Sequence, residues 1–311
     1  MMGWKWREGC EPRPEIHIAF LTAYEEYARE AFEVEAIDYL LKPIADEDLA
    51  RTLRRLEKRS HTGSASERRL AIRSFGPFSI LTDKGETVRF RNSKGRELLA
   101  YLHHFGGKPV GKARIVEELW QGKDSERSQV TLYSTIYQLR KDLEACGLQG
   151  IVEQSKTSGG SYSLRWFALV DDDVTRYEQA VLEYRSTHEL KHAMQAIQLY
   201  GDGFLTGSGY GWAAPRQADL ELSYTEMLEA IVGAYVGQKR YEIALNPLQK
   251  LAQLLPLEER VHAKMIALLI LLNREKDARK YHRMLLDLLD YAEESAVLDY
   301  SRLLSDPASF F

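Results

Sequence analysis

The sequence predicts a multidomain chain with a partial α/β segment, an α+β segment and an all-α remainder. Three observations predict it. Strand-like and helix-like stretches alternate over residues 16–59, the order that builds a parallel sheet. Residues 68–166 hold 17 Lys/Arg against 10 Asp/Glu, a balance of +7, while the rest of the chain holds 25 against 36. From about Val174 onward the apolar residues recur at helical spacing almost to the end.

Composition narrows the class. The 311 residues suit two or three domains, and 44% hydrophobic with 28% charged residues is ordinary for a soluble globular protein. No apolar run reaches the roughly 18 residues needed to span a bilayer. The N-terminal "MMGWKWREGCEPRPE" lacks the apolar core of a signal peptide. Cys10 and Cys146 are too few and too far apart for a disulfide framework or a Cys-based metal site. The cytoplasm is the expected compartment, and no membrane partner is expected. A basic middle between acidic flanks points to a polyanion partner for the middle alone.

In the first segment, "IHIAFLTAY" (16–24) and "AIDYLLKP" (36–43) read as strands, and "EEYAREAFEV" (25–34) and "DEDLARTLRRLEKR" (46–59) as helices. Residues 16–58 resemble the second half of a response-regulator receiver domain. By that resemblance Thr22 is the switch hydroxyl, Lys42 the lysine that contacts the phosphoryl group, and Tyr39 the aromatic that swings inward on activation. Pro43 matches the proline that follows the lysine. Receivers phosphorylate an aspartate, beside acidic Mg²⁺ ligands, that would lie before Ile16. Only 15 residues stand there, with Glu8, Glu11 and Glu15 but no aspartate. Residues 1–59 are therefore expected to be a truncated receiver-like segment. Two origins stay open, a chain that begins inside a longer gene product and a receiver that has decayed. Two parallel strands are normally buried on both faces, so so short a segment is expected to dock, to pair through its remaining dimerisation face, or to be poorly ordered.

"SHTGSASERR" (60–69) is small and polar and reads as a linker. After it come strand-like "LAIRSFGPFSIL" and "ETVRFR", three helical stretches, and a hairpin "IVEQSKTSGGSYSLRW" over Gly159-Gly160. In the third helix Leu132, Ile136, Leu139 and Leu143 recur at i, i+4, i+7 and i+11 and form the buried stripe. At 100° per residue the opposite face carries Arg127, Thr131, Ser134, Gln138 and Lys141, all polar and none acidic. Thr, Ser and Gln can bond base edges, while Arg and Lys can reach bases or phosphates. Residues 70–166 resemble the winged helix-turn-helix effector domain of OmpR-like response regulators. The resemblance makes residues 126–143 the recognition helix and the hairpin the wing, with Lys156, Thr157, Ser161 and Tyr162 along its edge. Lys94 and Arg96 open the first helix, and Lys112 and Arg114 the second, where cations beside helix N-termini suit phosphates. Leu98, Leu99, Leu102, Ile115 and Leu119 are expected core, with Trp120 closing the second helix.

Residues 167–311 carry a partial repeat that sets Ala244 on Ala278, an offset of 34, the tetratricopeptide period. Tyr241-x-x-Ala244 fits a helix crossing and Pro256 an inter-repeat turn. "DDDVTRYEQAV" and the run Tyr200-Gly201-Asp202, Trp212, Arg216 resemble the bacterial transcriptional activator domain, a tetratricopeptide-like module that follows a winged helix in regulators of the SARP type. "GDGFLTGSGYGWAAP" (201–215) reads only as an interruption between helices.

No phosphate loop, Gly-rich dinucleotide turn or nucleophile elbow is present, and no cofactor or enzymatic activity is expected. His103-His104 and the i, i+4 pair His188 and His192 lack a third ligand and are expected to be surface histidines. The reading is a DNA-binding transcription regulator of double-stranded DNA. Thr131, Ser134 and Gln138 face bases, and the helical segment contacts another copy or the transcription machinery. No small-molecule substrate is evident. The rival is a tetratricopeptide scaffold whose winged helix binds protein. Because no aspartate precedes Asp38, this chain incubated with acetyl phosphate and Mg²⁺ should gain no acid-labile phosphoryl group within residues 1–60 by mass spectrometry.

Overall fold

A computed structural model describes residues 19–22, 38–42, 44–45, 47–50, 52–53, 69–121, 125–155, 160–289 and 297–311. Two compact units emerge, residues 1–70 with 166–170, and residues 71–165 with 171–311.

In the first unit β1 (Ala19–Thr22) and β2 (Asp38–Leu41) pair in parallel, with Ala19 opposite Asp38 and Thr22 opposite Leu41. The Lys42 N–H extends the ladder by donating to the Thr22 carbonyl at 2.8 Å. Leu40 is buried and Leu21 is 49% exposed. Residues 47–50 and 52–53 are helical. The helix expected over 25–34 and most of the linker, residues 60–68, lie outside the described residues.

A three-stranded sheet ordered β4-β3-β8 is made of β3 (Arg69–Arg73), β4 (Ser79–Leu81) and β8 (Leu169–Asp172). "ETVRFR" does not form the expected strand. It makes a single bridge, Thr87 to Leu81, flanked by bonds from Val88 N–H to Ile80 and from Thr82 N–H to the Glu86 carbonyl. The sheet's third strand comes instead from beyond the wing.

Three helices follow: α1 (Ser93–His104), α2 (Lys112–Leu119) and α3 (Ser125–Glu144). Asn92 caps α1 by accepting from the Gly95 N–H at 2.6 Å. Leu98, Leu99, Leu102, Ile115, Leu132 and Leu139 are each at most 1% exposed, so the 3.6-residue periodicity places this core correctly. Leu119 and Trp120 are buried with them. A second sheet, ordered β5-β7-β6, unites β5 (Val110–Gly111), β6 (Val152–Ser155) and β7 (Ser161–Leu164). Ser155 stands opposite Ser161 at the wing tip.

The remainder is helical: α4 (Asp173–Thr187), α5 (Leu190–Tyr200), α6 (Ala214–Gly237), α7 (Tyr241–Leu254), α8 (Glu259–Leu271), α9 (Glu275–Leu289) and α10 (Tyr300–Ser305). Consecutive helices pack on one another from α4 through α9, though contact between α5 and α6 spans the 201–213 loop. Ala244 and Ala278 have no exposed surface, as small residues at helix crossings require. Buried His262 fastens the turn after α7, with Nε2 2.9 Å from the Pro256 carbonyl and Nδ1 2.7 Å from the Tyr281 hydroxyl.

The winged helix and the helical array share one interface. The Asp173 carboxylate accepts from the Ser74 N–H (2.9 Å) and the Phe75 N–H (3.1 Å). Burial pushes its pKa up, against those two N–H groups, which favour the charged form. Asp172 caps α4 at Val174 N–H and lies 3.5 Å from His103 Nε2, while Asp171 pairs with Arg73 at 2.8 Å. His103 is therefore an interface residue, with its side chain only 16% exposed, and not a surface histidine. His192 is likewise largely covered and lies 2.8 Å from Glu183.

The 201–215 loop is a strap rather than a mere interruption. Phe204 bridges to Phe75 and Gly76, Leu205 N–H donates to the Ser74 carbonyl at 2.7 Å, and Gly76 N–H donates to the Gly203 carbonyl at 2.8 Å. Phe75 packs its ring edge-on to Tyr177 at 5.2 Å and against Tyr200 at 5.0 Å. Burial pushes the Tyr177 hydroxyl up to about 12, and that hydroxyl donates to the Leu220 carbonyl. Replacing Asp173 by Ala strands two N–H donors and should lower stability by about 2–4 kcal/mol in urea unfolding. Asp173→Asn, which retains one acceptor oxygen, should cost less.

Candidate nucleic-acid interface

The interface is built on α3, which packs on α1 and α2. Leu132, Ile136, Leu139 and Leu143 face the core, which leaves Arg127, Thr131, Ser134 and Lys141 exposed. The Thr131 and Ser134 hydroxyls donate to the carbonyls of Arg127 (2.9 Å) and Thr131 (2.9 Å), and each keeps lone pairs for a partner. Lys141 lies 3.3 Å from Glu144, and both are more than half exposed, a pairing of little energetic weight.

Gln138 departs from the expected free surface position. It is half-buried, and its Nε2 donates to buried Asp142 at 2.8 Å. Asp142 in turn accepts from the Arg91 N–H at 3.0 Å and faces the Arg91 guanidinium at 3.6 Å. A helical wheel places Gln138 correctly but cannot show that residue 142, one turn on, is a buried carboxylate needing a donor.

Of the expected phosphate ligands, Lys94 turns inward. Its ammonium donates to Glu97 at 2.6 Å and to the Leu119 carbonyl at 2.7 Å, and it lies 5.7 Å from the Trp120 ring. It ties α1 to the C-terminus of α2 while its side chain stays 39% exposed. Arg96 is exposed above the Phe90 ring at 5.6 Å. Arg114 is exposed above the Phe105 ring at 4.9 Å, in a cleft shared with Trp212.

Lys112 joins three elements. Its N–H donates to the Gly160 carbonyl at 3.1 Å, and its ammonium reaches the Tyr133 hydroxyl at 3.3 Å and lies 5.1 Å from that ring. Its stem covers Gly160, where any Cβ would come within 2.7 Å of it and where φ is +87°. The lysine end can swing aside, so it is the positive φ that favours glycine there.

On the wing, Ser161 is half-buried, but Tyr162 is 1% exposed, and burial raises its hydroxyl pKa. Adjacent residues on a strand point to opposite faces, so the two could not both line the edge. Lys156 and Thr157 lie outside the described residues. Among the receiver-like residues, Thr22 is half-buried, Lys42 is exposed, and the side chain of Tyr39 is outside the described set.

Sequence reasoning missed four residues. Val130 (68%), Tyr133 (47%) and Tyr137 (65%) are exposed at i, i+3 and i+7. That is a second apolar stripe on a helix whose buried stripe is already complete, and this redundancy was the available signal. Exposed Arg140 donates to the Val152 carbonyl at 2.9 Å and fastens α3 to the wing sheet.

The comparisons agree with this architecture. The family described as transcriptional regulatory protein, C terminal, matches residues 86–159, and the bacterial transcriptional activator domain matches residues 168–294. The chain thus joins an OmpR-like winged helix to a bacterial transcriptional activator domain, the domain pairing of transcription regulators of the SARP type. It is also related to response regulators. It is 52% identical over 48 residues to the transcriptional regulatory protein BtsR of Salmonella typhi, covering 15% of this chain and 20% of that protein. It is 47% identical over 45 residues to the sensory transduction protein LytT of Bacillus cereus, 14% of this chain and 18% of that protein. The matched segment spans about a fifth of either relative's length. In fold the chain is similar to Mycobacterium tuberculosis EmbR, solved in complex with a low-affinity phosphopeptide. The TM-score is 0.57 at 19% identity, over 78% of this chain and 65% of that one. No described helix is long and apolar enough to cross a membrane.

Gln138→Ala should cost about 1 kcal/mol of stability by freeing an oxygen of buried Asp142, whereas Ser134→Ala should cost less than about 0.5. Chemical denaturation of the two single variants reads the difference.

Proposed function

We propose that this chain binds specific duplex DNA with α3 in the major groove and the β6–β7 wing against the backbone. The exposed face of α3 carries the proposal. Thr131 and Ser134 bring hydroxyls for base edges, and Val130 and Tyr137 bring apolar surface of the kind that meets thymine methyl groups. Arg127 and Lys141 at the two ends of this face, with Arg96, supply cations for phosphates. Lys112 and Ser161 sit where wing, α2 and α3 converge. Gln138 contributes by holding Asp142, and therefore the α1–α3 geometry, rather than by reading a base. The helical domain serves contacts with another copy or the transcription machinery, and the receiver-like segment with Thr22, Tyr39 and Lys42 serves pairing. The chemistry is binding, in keeping with transcription regulators generally.

A second reading draws on the same helix. The exposed stripe Val130, Tyr133 and Tyr137 would also suit a protein partner, which makes the winged helix part of a scaffold. Selection from random duplexes separates the two. DNA reading predicts an enriched sequence and a log K against log salt slope near about −5 for six phosphates. Thr131→Ala with Ser134→Ala should weaken the selected site by about 1–3 kcal/mol per lost contact and leave an unrelated duplex nearly unchanged. No enrichment, with salt-independent binding, would leave the scaffold.

A further inference from the structure

A cleft of about 610 Å³ opens where α1, α2 and the start of α6 meet. Its walls are aromatic. Tyr101 meets Trp212 edge-on at 5.1 Å, and the His104 ring lies 5.7 Å from the same indole. Phe105 lines it beneath the Arg114 guanidinium. A second guanidinium, Arg216, is held in place by Glu178 and lines the same space. Glu118 and Asp219 complete the polar lining.

The lining of the cleft points to a ligand. Trp212 is 9% exposed, and its indole N–H is buried without an acceptor. Buried Trp donors ordinarily find one, and an unmet donor costs free energy. Two guanidinium groups also converge on aromatic walls, a combination that favours a flat anion. Burial lowers the His104 pKa, and the charges of Arg216, His103 and Arg114 lower it further, against Glu178.

We infer that this cleft is an effector site for a small aromatic carboxylic acid bearing a hydroxyl or amino group. The ring lies among Trp212, Tyr101 and Phe105. The carboxylate accepts from Arg114 and Arg216. The second group donates to Glu118 or Asp219. Because Arg114 and Phe105 belong to the winged helix and Trp212 and Arg216 to the helical array, occupancy clamps one to the other. The site stands apart from the α3 face and does not depend on DNA binding.

Calorimetric titration of the full chain with anthranilate and with 4-hydroxybenzoate tests it, with aniline and acetate as ring-only and carboxylate-only controls. At least one aromatic acid should bind saturably at one site per chain and change tryptophan fluorescence, and neither control should. Arg114→Met removes an exposed side chain, so the protein should fold normally but bind at least about tenfold more weakly, as loss of a charge-assisted bond implies. Trp212→Phe should weaken binding as well and remove the fluorescence change. No saturable binding of either acid up to about 10 mM, a concentration that would reveal even millimolar affinity, overturns the inference. So does binding that Arg114→Met leaves unchanged.

Discussion

The second unit depends on one buried carboxylate. Asp173 lies at the first turn of α4 and accepts from the Ser74 and Phe75 N–H groups, just past the end of β3 a hundred residues earlier. Those donors stand where the β3 ladder ends, so a helix start completes the backbone bonding of a strand end. The neighbours divide the remaining work. Asp171 takes the Arg73 guanidinium, and Asp172 caps α4 and faces His103. Three consecutive acids thus serve a cation, a helix terminus and a pair of amides. The strap from Gly203 to Leu205 adds backbone bonds to the same stretch of chain, and Phe75 seals it among tyrosines.

This junction sets how the winged helix can respond to the helical array. Winged helices joined by a flexible linker move independently of their neighbours, whereas here α1 carries both core leucines and interface residues. Tyr101 and His103 sit within the same helix as Leu98, Leu99 and Leu102. A displacement of the Trp212 segment would therefore press on the helix that supports α3. Coupling between two surfaces requires a physical element that both contact, and α1 is that element.

The cores of α1 to α3 were legible because amphipathic helices repeat every 3.6 residues and report their own buried side. Leu132, Ile136, Leu139 and Leu143 needed no tertiary knowledge. The residues that misled were those whose partners are distant in sequence. Lys94 reads as a helix-opening cation until the Leu119 carbonyl arrives beneath it. Gln138 reads as a base reader until Asp142 proves buried. "GDGFLTGSGYGWAAP" reads as a loop because its bonds run to Ser74 and Gly76, and local pattern carries no trace of them. Tyr162 could have been placed from the two-residue strand period alone.

The position of β8 bears on the order in which the chain is made. The winged helix precedes the helical array in sequence, yet its first sheet takes a strand from Leu169–Asp172, and the amides just past β3 find their acceptor only at Asp173. Domains generally fold in turn as synthesis proceeds from the N-terminus. Here the ribosome delivers α3 and the β6–β7 hairpin before the residues that close the platform beneath them. The sheet beneath the winged helix lacks its third strand until Leu169–Asp172 emerges, and a chain cut between wing and triplet would keep α3 but lack the strand that finishes its foundation.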